Sequence, residues 1–140
     1  MTQDATAKPS IIGSAIRKLS GFWTSSTNST AANRPQVVAI APQEARRLLA
    51  RGKTVLVDVR EVHEHAREHI KGAKLAPLSR FEAHDFAAER ERARAAIFYC
   101  QSGTRTAFSG RRFQHSGFEE IYVLHGGLLA WKRAGFATSA

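Results

Sequence analysis

The sequence has very little cysteine: Cys100 is the only one among 140 residues. A lone cysteine excludes a disulfide within the chain and makes a reducing, cytoplasmic setting the expectation. Long apolar runs are missing too. Charged residues interrupt every hydrophobic stretch well before the roughly 18 residues that a transmembrane helix needs. The length suits one domain with a real core and is too short for two.

Both parts of the chain, before and after Pro35, carry an excess of basic residues, and the formal net charge is +9. Such a charge raises the local concentration of small anions. Lysine and arginine do not form clusters interleaved with aromatic residues, so no nucleic-acid partner is expected.

Residues 1–35 differ in composition from the rest and are predicted to form an N-terminal extension to a domain at 36–140. Residues 25–33 are small and polar, as in a flexible linker. Before them, apolar residues recur at helical spacing, and Arg17 and Lys18 follow too early for a secretory signal. A short basic amphipathic helix could lie on a membrane surface or a partner, but packing on its own domain is the commoner use of this pattern.

From residue 37 onward, short apolar runs alternate with helical patterns. Strands are predicted at 37–40, 55–59, 96–99 and 121–124, and helices at 42–50, 61–66, 81–95, 104–115 and 128–134. Buried strands that alternate with helices favour an α/β fold with a central parallel sheet and helices on both faces. In such sheets, ligand sites lie beyond the carboxyl ends of the strands.

The most informative segment is residues 97–106, Ile-Phe-Tyr-Cys-Gln-Ser-Gly-Thr-Arg-Thr. A buried strand delivers Cys100 to the carboxyl edge of the sheet, close to a helix start, where backbone N–H groups favour the nucleophilic thiolate. Gly103 permits loop N–H groups to turn inward around an anion, and Arg105 adds a permanent charge. A lone cysteine is more often a small buried hydrophobe. The order of strand, cysteine, glycine loop, arginine and helix favours a catalytic role instead.

This segment resembles the active-site loop of rhodanese domains, a cysteine followed by a short glycine-containing loop that ends in arginine and then serine or threonine. Three further stretches resemble rhodanese motifs in the same order: Asp-x-Arg-Glu at 58–61, His-Ile-x-Gly-Ala at 69–73, and a closing Gly-Phe, Leu-x-Gly-Gly and Trp segment within 117–131. Glu68 stands where the family usually has glycine, and Lys71 where proline is common.

The resemblance implies a single rhodanese-like domain with sulfurtransferase activity. Cys100 would take sulfur from a small anionic donor such as thiosulfate and pass it, as a persulfide, to cyanide, a thiol or a protein cysteine. Arg60 would support the charge of the pocket, and Asp58 would pin the loop through backbone hydrogen bonds. The substrate-binding loop would comprise Gln101, Ser102, Gly103, Thr104, Arg105 and Thr106.

Two other functions stay open. Cysteine phosphatases related to this fold place five residues between cysteine and arginine, whereas four separate Cys100 from Arg105. The smaller loop suits one sulfur atom better than a tetrahedral phosphate. Alternatively, the fold could serve only to bind a partner without catalysis.

No metal or other cofactor is expected. His63, His65 and His69 are close in sequence, and two of them lie four residues apart. No cysteine is nearby, however, and His69 already belongs to a rhodanese motif.

Overall fold

Five short stretches of the chain form one parallel β-sheet in the computed structural model, which describes residues 33–140. The sheet has the strand order β1-β5-β4-β2-β3, and every neighbouring pair is parallel. The strands are β1 (Val37–Ile40), β2 (Thr54–Asp58), β3 (Lys74–Leu75), β4 (Ala95–Tyr99) and β5 (Glu120–Leu124). The strand that precedes Cys100 is therefore the central one. The predicted N-terminal helix lies outside the described residues.

Helical segments connect the strands, as a parallel sheet requires. They are α1 (Pro42–Arg51), α2 (Val62–Arg67), a 3-10 helix (Leu78–Ala83), α3 (Ala87–Arg92), α4 (Thr104–Ala107), α5 (Gly110–Gln114) and α6 (Gly127–Arg133). Within residues 33–140, none of these helices is long and apolar enough to cross a bilayer. The predicted α/β architecture, a parallel sheet flanked by helices, is confirmed.

The sheet separates two hydrophobic clusters because successive side chains of a strand point to opposite faces. Ala96, Phe98 and Cys100 belong to one cluster, which is rich in aromatic rings. There, the ring of Phe98 stacks on that of Phe113, with the centroids 4.3 Å apart. The opposite face carries Tyr99 in a largely aliphatic cluster. Cys100 and Tyr99 are therefore neighbours in sequence whose side chains lie on opposite faces of the sheet.

The predicted helix over residues 81–95 is wrong. The structure has the 3-10 helix up to Ala83 and then α3 from Ala87. Phe81 and Phe86 are both buried, with ring centroids 5.5 Å apart. Residues five apart on a continuous helix point about 140° away from each other. The break lets both rings enter the same cluster.

The single helix predicted over residues 104–115 is also wrong, because the chain breaks between α4 and α5. The Ser109 hydroxyl donates a hydrogen bond to the Arg105 carbonyl at 2.7 Å, and the Ser109 N–H donates to Thr106 instead. A continuous helix would offer the Arg105 carbonyl to the Ser109 N–H. α4 is consequently one turn long, which leaves little helix dipole to support an anion at Cys100.

Candidate active site

Cys100 directly follows β4 at the carboxyl edge of the sheet. The start of α6 fixes the cysteine loop from behind: the Leu128 N–H donates to the Cys100 carbonyl at 2.9 Å. Gly127 makes this approach possible. Its φ is +62°, and a Cβ at this position would lie 2.5 Å from the Cys100 carbonyl oxygen. Glycine is the residue that fits both the backbone angle and the space.

The sulfur atom has two polar neighbours in the loop. The Gly103 N–H donates to Sγ at 3.2 Å, and Sγ lies 3.8 Å from the Thr106 hydroxyl oxygen. Gly103 adopts a φ of +93°, and its N–H points toward the sulfur, as expected for a loop whose N–H groups turn inward around an anion. The Thr106 hydroxyl in turn donates to the Gly103 carbonyl at 3.1 Å. The loop therefore presents one backbone donor directly to the sulfur.

Cys100 is completely enclosed, with a relative exposure of 0%. A cavity of about 590 Å³ opens beside the loop, where Ser102, Gly103 and Thr104 line it together with the exposed ring of Phe108. Cys100 is not among its lining residues. The sulfur is therefore not in contact with this cavity.

Arg105 faces outward from α4 and forms a two-pronged salt bridge with Glu64 of α2. Its Nη1 and Nη2 donate to Oε2 and Oε1 of the Glu64 carboxylate, each at 2.9 Å. These hydrogen bonds hold the pKa of Glu64 at about 2. Sequence reasoning missed this partner. Its one local signal is a capping box, in which Glu64 also accepts the Glu61 N–H at the start of α2.

Asp58 ends β2 and forms a buried ion pair with Arg60; their relative exposures are 0% and 2%. Its Oδ1 accepts the backbone N–H of Arg60 at 2.9 Å, and its Oδ2 accepts Nη2 of the same residue at 2.8 Å. Nδ1 of His65 lies 2.9 Å from Oδ2 and carries the proton, because a carboxylate only accepts. Burial raises the pKa of Asp58, but hydrogen bonds from Arg60 and His65 outweigh burial and lower it below its ordinary value.

The route predicted from Asp58 to the cysteine loop needs correction. Among the described residues, the carboxylate of Asp58 bonds to Arg60, His65 and Tyr99, and not to the backbone of residues 101–106. The link to the loop is Arg60, whose Nη1 donates to Oε1 of Gln101 at 3.0 Å. The reason is register: Asp58 pairs with Tyr99, on the face opposite to the cysteine side chain.

Tyr99 is a site residue that sequence reasoning treated only as part of a strand. Its hydroxyl donates to Oδ2 of Asp58 at 3.0 Å and accepts the Ile70 N–H, also at 3.0 Å. Burial and the neighbouring Asp58 charge raise the pKa of Tyr99, so its hydroxyl stays a donor. The ring thus connects the carboxylate at the end of β2 to the segment after α2.

Glu68, which replaces the family's usual glycine, has extended backbone angles that any residue adopts. Its carboxylate accepts hydrogen bonds from Lys132 at 2.9 Å and from Thr138 at 2.7 Å. Its carbonyl accepts Nη2 of Arg60. The backbone at position 68 therefore does not require glycine, and Glu68 ties Lys132 and Thr138 to Arg60.

The imidazole rings of His65 and His69 stack with their centroids 3.9 Å apart. In the part of the chain from residue 33 to 140, no group of three or more His, Cys, Asp or Glu side chains could hold a metal ion. That the protein works without a metal stays a prediction.

Cys100 therefore lies at the carboxyl end of the central strand of a parallel sheet, and four residues separate it from Arg105. The sequence matches the rhodanese-like domain family over residues 41–134. The chain therefore belongs to the rhodanese-like domain family.

Individual relatives agree with this assignment. An uncharacterized protein of Synechocystis is 39% identical over 101 residues, which are 72% of this chain and 55% of that protein. The chain thus spans about half the length of this relative. The thiosulfate sulfurtransferase GlpE of Ectopseudomonas mendocina is 31% identical over 66% of this chain and 83% of its own. The structure of a thiosulfate sulfurtransferase from Pseudomonas aeruginosa shares the fold, with a TM-score of 0.63, 21% identity, and coverage of 98% of this chain and 24% of that one.

Proposed function

We propose that this protein is a sulfurtransferase that carries sulfane sulfur as a persulfide on Cys100. The observation that carries the proposal is the loop itself: its single cysteine receives a backbone N–H from Gly103 at 3.2 Å. The thiosulfate sulfurtransferase named among the relatives, 83% of which aligns with this chain, supports the same class of reaction.

In the proposed first half-reaction, the Cys100 thiolate attacks the outer sulfur of thiosulfate. The sulfur–sulfur bond of the donor breaks, sulfite leaves with the electron pair, and a persulfide remains on the enzyme. In the second half-reaction, cyanide attacks the outer persulfide sulfur and leaves as thiocyanate, which regenerates the thiolate. The two steps form a covalent, ping-pong cycle.

The loop residues have distinct proposed roles in this cycle. The Gly103 N–H stabilises the negative charge of the thiolate, and the backbone N–H groups of 101–106 together stabilise that of the persulfide. Arg105 holds the end of the loop through Glu64, and Arg60 holds its beginning through Gln101. In the cell, we expect a thiol or protein cysteine to replace cyanide as the acceptor, in the reducing cytoplasm that a single free thiol suits.

Intact mass spectrometry after incubation with thiosulfate tests the proposal. The wild type should gain the mass of one sulfur atom, and added cyanide should remove it as thiocyanate. Cys100→Ser should gain nothing, and because this is the only cysteine, no second thiol can mask the result.

One observation favours a second candidate, a binding module without catalysis: the sulfur is fully enclosed. A wild-type protein that gains no sulfur from thiosulfate or from a persulfide donor, at any concentration that leaves it folded, would support that candidate. Efficient release of phosphate from an aryl phosphate would instead favour a phosphatase.

A further inference from the structure

A cavity lies at the amino edge of the sheet, where the strands begin, opposite to the edge that carries Cys100. Its volume is about 410 Å³, which is within the range of roughly 300–1,000 Å³ that is usual for ligand pockets. Lys53, Arg94 and Glu119 line it, and they directly precede β2, β4 and β5 respectively. The carboxyl end of α3 supplies the remaining charged residues of its wall.

The wall of this cavity is basic. Its charged residues are the cations Lys53, Arg90, Arg92 and Arg94 and the carboxylates Glu91 and Glu119. Arg94 is neutralised, because it lies 3.3 Å from Glu119 and 3.2 Å from Glu120. Within the part of the chain that the structure describes, the other three cations form no salt bridge. Three unpaired cations therefore share the cavity with one unpaired carboxylate, that of Glu91.

The turn before β5 holds the guanidinium of Arg90 in place. Its Nη1 donates to the Ser116 carbonyl at 2.9 Å. Gly117 leaves room for this contact: its φ is +92°, and a Cβ there would lie 2.9 Å from Cδ of Arg90. Among residues 33–140, the other guanidinium N–H groups of Arg90 have no acceptor. A guanidinium that is already oriented loses little freedom when a ligand binds, so the wall is prepared for an anion.

Lys53 is fixed at the rim of the cavity by its backbone. Among the described residues, it is the one non-glycine residue with a positive φ, +65°, an uncommon angle for a residue that carries a side chain. Its carbonyl accepts the N–H groups of Arg94 at 3.1 Å and of Ala95 at 3.3 Å. These hydrogen bonds hold the turn before β2 against the start of β4, and with it the origin of the Lys53 side chain.

The chemistry of the wall indicates which anion would fit. The cavity lies beside the carboxyl end of α3, where the helix dipole does not favour anions, so any attraction comes from the side chains. Guanidinium groups bind phosphate oxygens through paired N–H groups, and lysine binds them as a point charge. A single phosphate would fill a small part of the cavity. A diphosphate spreads its charge over two groups and can contact several of the cations at once.

We propose that this cavity binds a diphosphate group, either as free pyrophosphate or at the end of a nucleotide. The cavity shares no residue with the cysteine loop at 100–106. The proposal therefore does not depend on sulfur transfer, and each of the two can fail without the other.

Isothermal titration calorimetry of the 140-residue chain with pyrophosphate, in a buffer without divalent cations, tests the proposal. The double variant of Lys53→Gln and Arg92→Gln removes two exposed, unpaired charges from the cavity. We expect one-to-one binding by the wild type and a dissociation constant at least about tenfold higher for the double variant. Glu91→Gln removes the carboxylate that repels the anion, and it should lower the dissociation constant. A wild type that binds no pyrophosphate at millimolar concentration would overturn the proposal.

The double variant of Arg67→Gln and Lys71→Gln is the matched control. Both residues are exposed, neither lines the cavity, and they follow β2 at the opposite edge of the sheet. The control loses the same two positive charges. At an ionic strength of about 0.1 M, charges more than roughly 10 Å away are largely screened, so we expect its dissociation constant to change by less than about twofold. Equal weakening in the two double variants would overturn the proposal, because the loss of net charge would then explain the effect.

Backbone amide chemical shifts locate the bound anion. Pyrophosphate should shift the amide signals of Lys53 and of residues 117–119 and leave those of 101–106 unchanged. Shifts confined to residues 101–106 would overturn the proposal, because the anion would then occupy the cysteine loop. Cys100→Ser should bind pyrophosphate as the wild type does, whether or not thiosulfate places sulfur on Cys100.

Adenosine diphosphate distinguishes the two sources of the diphosphate group. Binding at least as tight as that of pyrophosphate would assign the cavity to a nucleotide, and weaker binding would assign it to the free anion. Both results support the cavity as a diphosphate site, provided that the double variant of Lys53→Gln and Arg92→Gln weakens the binding of the preferred ligand.

Discussion

The two edges of the sheet hold ion pairs of the same chemistry in opposite surroundings. At the amino edge, Arg94 lies 3.3 Å from Glu119 and 3.2 Å from Glu120, and 61% of its side chain is exposed. At the carboxyl edge, Asp58 and Arg60 form their pair almost without exposure. Water screens the first pair, and the second has lost its hydration.

This difference in burial distinguishes ion pairs that only lie on the surface from ion pairs that hold the residues of the candidate site in place. Exposed pairs typically contribute about 0–1 kcal/mol. A buried pair contributes little net stability, because desolvation offsets its attraction, but removal of one partner strands a charge in the interior. Four groups outside the carboxyl-edge pair bond to it: His65 and Tyr99 to Asp58, and Gln101 and the Glu68 carbonyl to Arg60. Gln101 belongs to the cysteine loop and connects the pair to it.

The largest effect should come from Asp58→Asn. The variant leaves the Arg60 guanidinium buried without a counter-charge, and we expect a loss of about 3–5 kcal/mol in the free energy of unfolding. Chemical denaturation measures it. The double variant with Arg60→Met should be less destabilised than the sum of the two single variants. If the two losses of stability are additive, Asp58 and Arg60 do not stabilise the fold as an interacting pair.

Tyr99→Phe should have an intermediate effect. The ring stays packed, but the Ile70 N–H and one oxygen of Asp58 lose their hydroxyl partner. We expect a loss of about 1–3 kcal/mol, the cost of unsatisfied buried polar groups, in thermal or denaturant unfolding. Tyr122→Phe is the matched control, since within residues 33–140 that hydroxyl bonds only to the partly exposed Glu120. Equal losses of stability in both variants would show that the buried hydroxyl of Tyr99 contributes no more than the hydroxyl of Tyr122.

The smallest effect should come from Glu119→Gln at the amino edge. Arg94 keeps Glu120 as a partner and remains exposed to water. We expect the free energy of unfolding to change by no more than about 0.5 kcal/mol, and the change to shrink further at high salt. A loss above about 2 kcal/mol, insensitive to salt, would contradict this expectation.

Local sequence patterns predicted the parts of this structure that depend on local properties. The strands around Val57 and Phe98 were predictable because short apolar runs bounded by breakers are typical of buried parallel strands. The position of Cys100 at the carboxyl edge follows from its place directly after such a run.

Contacts between distant segments were not predictable in this way. The bond between Arg105 and Glu64 joins residues 41 positions apart, and the bond between Tyr99 and Asp58 depends on the register of β2 against β4. Helix breaks escaped prediction for a related reason. The chain turns at Ser109 because its hydroxyl competes for a helical carbonyl, while the charged pattern continues on both sides.

The enclosure of Cys100 has a consequence for the chemical stability of its thiol. Oxidation of a thiol to sulfenic and then to irreversible acids depends on its contact with oxidants in solution. A sulfur shielded from solvent is protected from that oxidation, because an oxidant would have to pass the surrounding residues to reach Sγ. In the proposed sulfur transfer, the same enclosure would limit how often a donor meets Cys100.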